Sequence, residues 1–406
     1  MNQRVLVIGA FDTKEEEYAF LIGLIERAGF RVVTVNTGVM TPPTHIKANV
    51  EAEIVAQAGG TDIDTLRNAN DRGKAIEVMS IGAARVVNDL FREEGFDGVI
   101  GMGGSAGTNV VTSAMRVLPY GLPKICVSTI ASANVSPYVG ISDIVMFPSL
   151  TDIAGLNSIS RNVLRNAVGA LAGMLAVPRE AESTRPAIAL SMFGNTTPCV
   201  DACRQMLEDR GYEALVFHAT GVGGKTMEKL IREGRIRGLL DITTTEWADE
   251  ICGGIFSAGA ERLDAPGQAG VPHLIAPGCL DMCNFGSPET VPSRYRDRLL
   301  YKWNPNVTLM RTTPEENREM GVLFADKANR SKGKTAFIIP TRGFSMLDSV
   351  NEKGEPQLFW NPEANEAFVE GLKSRLKPEI EVVEVEANIN DPVFAAKAVE
   401  LFLQMM

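Results

Sequence analysis

Short apolar runs alternate with amphipathic stretches along almost the whole chain. Arg4 to Ile8 (RVLVI) is a continuous apolar run closed by Gly9, the pattern of a strand buried on both faces. A helix follows to about Ala28, with Tyr18, Leu21, Ile22 and Ile25 on one face. Thr13 and Glu16 at its start have capping-box spacing, and Gly29 stops it. Arg31 to Val35 (RVVTV) predicts the second strand. The spacing then predicts a helix over Ile46 to Ala58 and a long polar loop carrying Asp62, Asp64, Arg67, Asp71 and Arg72. A helix from Gly73 to Glu94 and a strand from Asp97 to Gly101 come next. The glycine turn Met102 to Gly107 leads into a helix from Thr108 to Val117. Strands at Lys124 to Val127 and Ile144 to Phe147, and a helix from Ile159 to Leu175, complete the first half.

The polar stretch Ala181 to Pro186 reads as a linker, after which the alternation restarts. Strands are expected at Ala187 to Met192, Ala214 to His218, Leu239 to Ile242, Asn306 to Met310 and Thr335 to Ile339. Helices are expected at Pro198 to Arg210, Met227 to Glu233, Pro314 to Asn329, Glu363 to Leu376 and Pro392 to Met405. Gly253 to Arg296 is looser and rich in Gly, Pro and Cys. This alternation predicts two α/β domains, 1–183 and 184–406, with mainly parallel sheets and helices on both faces. The length of 406 residues agrees, because single cores stop growing at roughly 250–300 residues.

Composition narrows the function classes. A formal charge of −10 disfavours wrapping a nucleic-acid backbone, though one basic pocket is compatible with it. No apolar run is long enough to span a bilayer, and the N-terminus lacks a signal-peptide pattern. Six cysteines without a secretory signal imply reduced thiols and a cytoplasmic protein.

The chemistry is expected at strand ends. In Gly101 to Asn109 (GMGGSAGTN), glycines permit close ligand approach, and the next helix offers free N–H groups to a phosphate. Gly103, Gly104, Ser105, Gly107, Thr108 and Asn109 are the candidate ligands there. Neighbouring strand ends add Asp12, Thr13, Lys14, Thr37, Gly38, Ser128 and Thr129. Asp12 could hold Mg2+ and Lys14 could neutralise a phosphate. The same loop matches G-x-S-x-G, which makes a serine hydrolase with Ser105 as nucleophile a rival reading. Its base would have to come from His45, His218 or His273.

A second glycine turn, Ala219 to Thr226 (ATGVGGKT), resembles a P-loop but lacks the first glycine. Gly223, Gly224, Lys225 and Thr226 are candidates for a second anion site. Asp241, Thr243, Thr244, Thr245 and Glu246 would line a polar pocket beside it, and Arg311 or Arg342 could meet an anionic ligand or a carboxylate. The pairs Cys199/Cys203 and Cys279/Cys283 have the wrong spacing for a structural zinc knuckle, and no metal is expected.

Gly101 to Ser132, Pro137 to Ala167, FHATGVGGKTMEKLI, DITTTEWADEICGG, APGCLDMCNF and MRTTPEEN together carry a family likeness. They resemble the ATP-binding N-terminal domain of the tomato mosaic virus resistance protein and its bacterial homologues. The resemblance implies a Rossmann-like, ATP-binding first domain, a second domain of similar type and a homodimer. It points to Gly104, Gly107 and Thr108, with Ala106 standing where many relatives are expected to have glycine. It also implies that the plant protein's C-terminal barrel is absent here. The expected function is ATP binding, with an enzymatic or regulatory role towards a small carbonyl or carboxylic metabolite at the inter-domain crevice. The alternative is a non-catalytic dimeric module that ATP stabilises.

Overall fold

A computed structural model describes residues 3–178 and 183–406. The chain divides into two compact units, Met1–Glu180 and Ala181–Met406. Ala181 and Glu182 of the expected linker lie outside the described residues.

Unit 1 runs β1 (Arg4–Gly9), α1 (Glu15–Arg27), β2 (Arg31–Asn36), α2 (Ala52–Gly59), α3 (Ile63–Ala69) and α4 (Arg72–Glu93). It continues with β3 (Gly98–Gly103), α5 (Ser105–Arg116), β4 (Lys124–Ser128), α6 (Ser136–Val139), β5 (Val145–Pro148) and α7 (Ser158–Ala176). The strands form one parallel sheet in the order β2-β1-β3-β4-β5. The apolar run of β1 is explained by the two faces it serves. Leu6 and Ile8 pack with Val87 of α4 and Val111 of α5. Val5 and Val7 pack with Leu21 of α1 and Leu171 of α7.

The order reverses at β1, with β2 on one side and β3 on the other, so a crevice opens between the carboxyl ends of β1 and β3. Regular pairing of the two strands ends at Ile8 and Gly101. Beyond it the Tyr18 hydroxyl takes over. It accepts a hydrogen bond from the Met102 amide (2.9 Å) and lies 3.0 Å from the Ile8 carbonyl and 2.7 Å from that of Met102. Gly9 makes room for it, since a Cβ there would sit 1.7 Å from the Tyr18 oxygen.

Several details of this unit differ from expectation. The polar loop at 62–72 is largely helix α3, capped by Asp62, whose carboxylate accepts the Thr65 amide. Residues 46–51 do not join α2. Asn49 instead bonds the backbone and hydroxyl of Thr34, and Val50 bridges to Val35 at the sheet edge. The capping box at Thr13 is not formed: Lys14 occupies the cap position, and no side chain caps α1.

Unit 2 runs β6 (Ala187–Met192), α8 (Thr197–Glu208), β7 (Glu213–His218), α9 (Val222–Arg232), β8 (Gly238–Thr243), α10 (Glu246–Cys252), α11 (Asp264–Ala269) and β9 (His273–Gly278). Then come β10 (Met282–Phe285), β11 (Leu300–Asn304), β12 (Val307–Arg311), α12 (Pro314–Ala328), β13 (Thr335–Pro340), α13 (Pro362–Arg375), β14 (Glu381–Val385) and α14 (Pro392–Met405). Six parallel strands are ordered β14-β13-β9-β8-β6-β7, and a separate antiparallel sheet is ordered β10-β12-β11. One face of the large sheet packs on α8 and α14 through Cys203, Leu207, Phe394 and Phe402. The other face packs on α12 and α13 through Phe324 and Phe368, and on α9 through Met227 and Ile231. Among the described residues no helix is long and apolar enough to cross a membrane.

Tyr18→Phe tests the bridge between β1 and β3. It strands the buried Met102 amide without its acceptor, so urea unfolding should show a loss of about 1–3 kcal/mol. An unchanged midpoint would show that the bridge contributes nothing.

Candidate functional site

The turn after β3 is built by glycines with two different tasks. A Cβ on Gly101 would lie 2.5 Å from the Ile8 carbonyl, and one on Gly103 would lie 2.7 Å from the Gly107 Cα. These two glycines let strand and helix pack closely. At Gly104 and Gly107 the nearest atoms to an added Cβ are 3.8 and 3.5 Å away, so both face room. Gly104 is the extended cap residue, and α5 begins at Ser105, three residues before the expected start. The first amide bonded within the helix is that of Thr108, to the Gly104 carbonyl (2.8 Å). The amides of Ser105, Ala106 and Gly107 find no acceptor among the described residues, and no side chain caps this helix. They are the unpaired donors with which every helix begins.

This turn forms one wall of a cleft of about 650 Å³, within the range of small-molecule sites. Asp12, Thr13, Lys14, Thr37, Gly38, Gly103, Gly104 and Gly107 all line it, as expected from the strand ends. Buried Asn36 holds two of the contributing turns together, accepting the amides of Phe11 (3.2 Å) and Gly38 (2.9 Å). Sequence reading missed the apolar wall, made by Val39, Leu66, Ile76, Met79 and Val110. Three of these belong to α3 and α4, whose placement over the strand ends depends on tertiary packing.

Several candidates take supporting positions instead. Thr108 is fully buried, its hydroxyl 2.6 Å from that of Ser128, and Ser128 also accepts the Ile130 amide. The pair clips α5 to the end of β4 beneath the turn. Thr129 donates its amide to the Gly103 carbonyl, and Ser105, Asn109 and Thr129 are not among the cleft-lining residues. Asp12 accepts the Met40 amide through Oδ2 (2.8 Å), while its Oδ1 is buried without a hydrogen-bond partner among the described residues. Lys14 donates to the Ile153 carbonyl. The elbow expected at Ser105 does not form, because Ser105 is the first residue of a regular helix and lacks the positive φ of a strained nucleophile. The two histidines of unit 2 have partners of their own. His273 is buried against Asp241 (3.2 Å), and His218 stacks edge-on against Phe193.

In unit 2 the corresponding turn is already filled. Glu246 directs one carboxylate oxygen at the amides of Gly221 (2.7 Å) and Gly224 (3.1 Å), at the start of α9. Its other oxygen accepts from Arg262 Nε (2.7 Å). Arg262 is buried and grips Asp241 through two bonds of 2.6 and 2.7 Å. The anion at this P-loop-like turn is therefore the chain's own carboxylate. A Cβ on Gly223 would lie 1.9 Å from the His218 carbonyl, so this glycine serves packing. Lys225 is exposed, and Thr226 bonds back to the Val222 carbonyl. The DITTTE residues are buried and bonded internally, with Thr244 donating to Ala276 and Thr245 to Met282. Arg311 is buried against the Phe359 carbonyl and Asp348, and Arg342 pairs with Glu386 at the surface.

Two family models cover the chain. The C-terminal domain of uncharacterised protein family UPF0261 matches residues 185–406, and its N-terminal domain matches 3–180. The chain belongs to the UPF0261 family. A UPF0261 protein of Clostridium tetani is 44% identical over 408 residues, covering 100% of both chains. A Rhizobium meliloti member, RA0729, is 44% identical and covers 98% of each. The ToMV resistance protein Tm-1(GCR237) of Solanum lycopersicum is 37% identical across 100% of this chain, which spans 56% of the tomato protein. The family expected from the sequence is thus the family found.

Two outcomes test the buried carboxylates of unit 2. Glu246→Ala leaves Arg262 and two amides without their partner, and chemical denaturation should show a loss of about 3–5 kcal/mol. A loss below about 1 kcal/mol would mean that the carboxylate is not the turn's anion. Asp281, beyond β9, accepts the Ser345 hydroxyl (2.7 Å). Burial pushes its carboxyl up to about 7, and the Asp348 carboxylate adds to the shift. The folded chain keeps this proton between about pH 4 and 7 while the unfolded chain releases it, so the group withdraws stability as pH rises through that window. Asp281→Asn should therefore gain thermal midpoint relative to wild type on going from about pH 5 to about pH 8. A constant offset would contradict the assignment.

Proposed function

We propose that unit 1 binds a nucleotide, ATP, with a phosphate group held by the turn before α5. The observation that carries this reading is the set of unbonded amides at Ser105, Ala106 and Gly107 beside an open cleft. A helix start of this kind attracts anions through its donors and its dipole. The apolar wall of Leu66, Ile76, Met79 and Val110 suits the flat face of a base. ATP is the nucleotide that the resemblance drawn from the sequence motifs implies. Asp12 gives one oxygen to Met40 and keeps Oδ1 without a partner among the described residues, which suits it to the Mg2+ that accompanies the nucleotide. A homodimer, which the resemblance implies, and a cytoplasmic setting, which six cysteines read as reduced thiols suit, complete the reading.

Whether the protein turns ATP over divides two versions of this function. In one it is an enzyme or regulator acting on a small carbonyl or carboxylic metabolite. In the other it is a non-catalytic module stabilised by ATP. The second is favoured by Lys14, which bonds to the Ile153 carbonyl instead of standing free for chemistry.

Isothermal titration of the full chain with ATP and magnesium should give saturable binding. Gly104→Val and Gly107→Val add bulk where the backbone has room, so they should keep the thermal midpoint and lose the binding. No heat with wild type, or unchanged binding in both variants, overturns the reading. Bound ATP that stays intact for hours with a metabolite mixture selects the non-catalytic version.

A further inference from the structure

The small antiparallel sheet of unit 2 leaves one edge open. β11 pairs with β12 and lies at the end of the order β10-β12-β11. The Arg311 amide donates to the Leu299 carbonyl (3.0 Å), and in the same register Leu300 faces Met310 and Tyr301 faces Leu309. Backbone groups alternate in direction along an antiparallel strand. Those of Leu299 and Tyr301 therefore serve β12, and those of Leu300 and Lys302 point away from it. The amides of Leu300 and Lys302 have no hydrogen-bond partner among the described residues.

The side chains alternate too. Leu300 packs against the core that holds Met310. Leu299, Tyr301 and Trp303 share the other face and are 45, 38 and 45% exposed. The rings of Tyr301 and Trp303 lie 6.2 Å apart. Folded chains avoid a row of large apolar side chains on a free edge, because such an edge invites another strand.

We infer that β11 is the face on which two copies of this chain associate, edge to edge and antiparallel, about a two-fold axis at Tyr301. The inference rests on the homodimer of the proposed function and names its face. Charge selects the axis. An axis at Lys302 sets that lysine opposite its own copy, and one at Leu300 sets it opposite the partner's Arg298. Like charges directly opposite destabilise a strand pair. An axis at Tyr301 sets Lys302 opposite the partner's Leu300. These two residues carry the outward backbone groups, so each donates to the other and accepts from it. On the exposed face Tyr301 meets the partner's Tyr301, and Leu299 meets the partner's Trp303. The strand is thus self-complementary in charge, hydrogen bonding and apolar surface, as an isologous interface requires. A foreign strand would not need this symmetry.

Sedimentation velocity of the full chain over a range of concentrations should show a reversible dimer. Tyr301→Lys places two ammonium groups at the axis. Lys302→Pro removes an outward N–H that β12 does not use, a change edge strands tolerate. Each should weaken dimerisation about tenfold or more and keep the far-UV circular dichroism of wild type. Tyr301→Cys adds a cross-linking test, because the chain's own cysteines are all buried. Diamide should take two electrons and two protons from the thiols that meet at the axis, leaving a disulfide between copies. Pro305→Cys, away from the axis, should stay unlinked. Dimers that survive both Tyr301→Lys and Lys302→Pro overturn the inference, as does a dimeric Tyr301→Cys chain that diamide leaves unlinked. A wild-type chain that is monomeric at every concentration removes the homodimer itself, and that outcome is seen without any variant.

Discussion

A helix that follows a parallel strand starts with amides its own turns cannot use, and this chain meets that constraint in two opposite ways. In unit 2 the donors at Gly221 and Gly224 are satisfied by Glu246, a carboxylate from the next strand end. In unit 1 the donors at Ser105 to Gly107 have no such partner among the described residues, and a cleft lies beside them. Two turns of similar composition therefore have different capacities. One is sealed by a buried ionic network, and the other can accept an anion from outside.

Much of the surrounding structure serves that difference. The Tyr18 hydroxyl fixes the strand ends at the point where the sheet order reverses, and Gly9 is small because the ring lies against it. The Thr108–Ser128 bond clips the helix from below, and Asn36 holds the two turns that face it. In unit 2, Arg262 links Glu246 to Asp241, so the internal anion is itself held in place. A buried charge network of this kind tolerates the loss of one member poorly, which makes the filled turn a fixed part of the core.

The alternation of apolar runs and amphipathic stretches was enough to read two α/β units, because parallel strands buried on both faces leave no polar gaps. The strand ends that form the cleft were legible for the same reason. The roles of single residues were less so. Thr108 and Ser105 looked like ligands while α5 was expected to begin at Thr108. The actual start at Ser105 moves Thr108 into the helix interior and makes its hydroxyl a packing clip. Glycines for packing (Gly103, Gly223) and glycines for access (Gly104, Gly107) are indistinguishable in sequence, since only the neighbours decide. Glu246 lies more than twenty positions from the turn it fills, and Arg262 further still, so nothing local announces that network. Strands β11 and β14 were missed because they are mostly polar or half-exposed, and the buried β9 and β10 were missed because they lie in a stretch whose Gly, Pro and Cys content read as loose. α3 was read as a loop because its seven residues bury only Ile63 and Leu66.

The most direct measurement is the backbone amide NMR spectrum of the full chain during titration with ATP and magnesium. The account predicts that the amide resonances of Ser105, Ala106 and Gly107 move with saturation while those of Gly221 and Gly224 stay in place. Unmoved signals at the α5 turn, or shifts confined to the α9 turn, would contradict it.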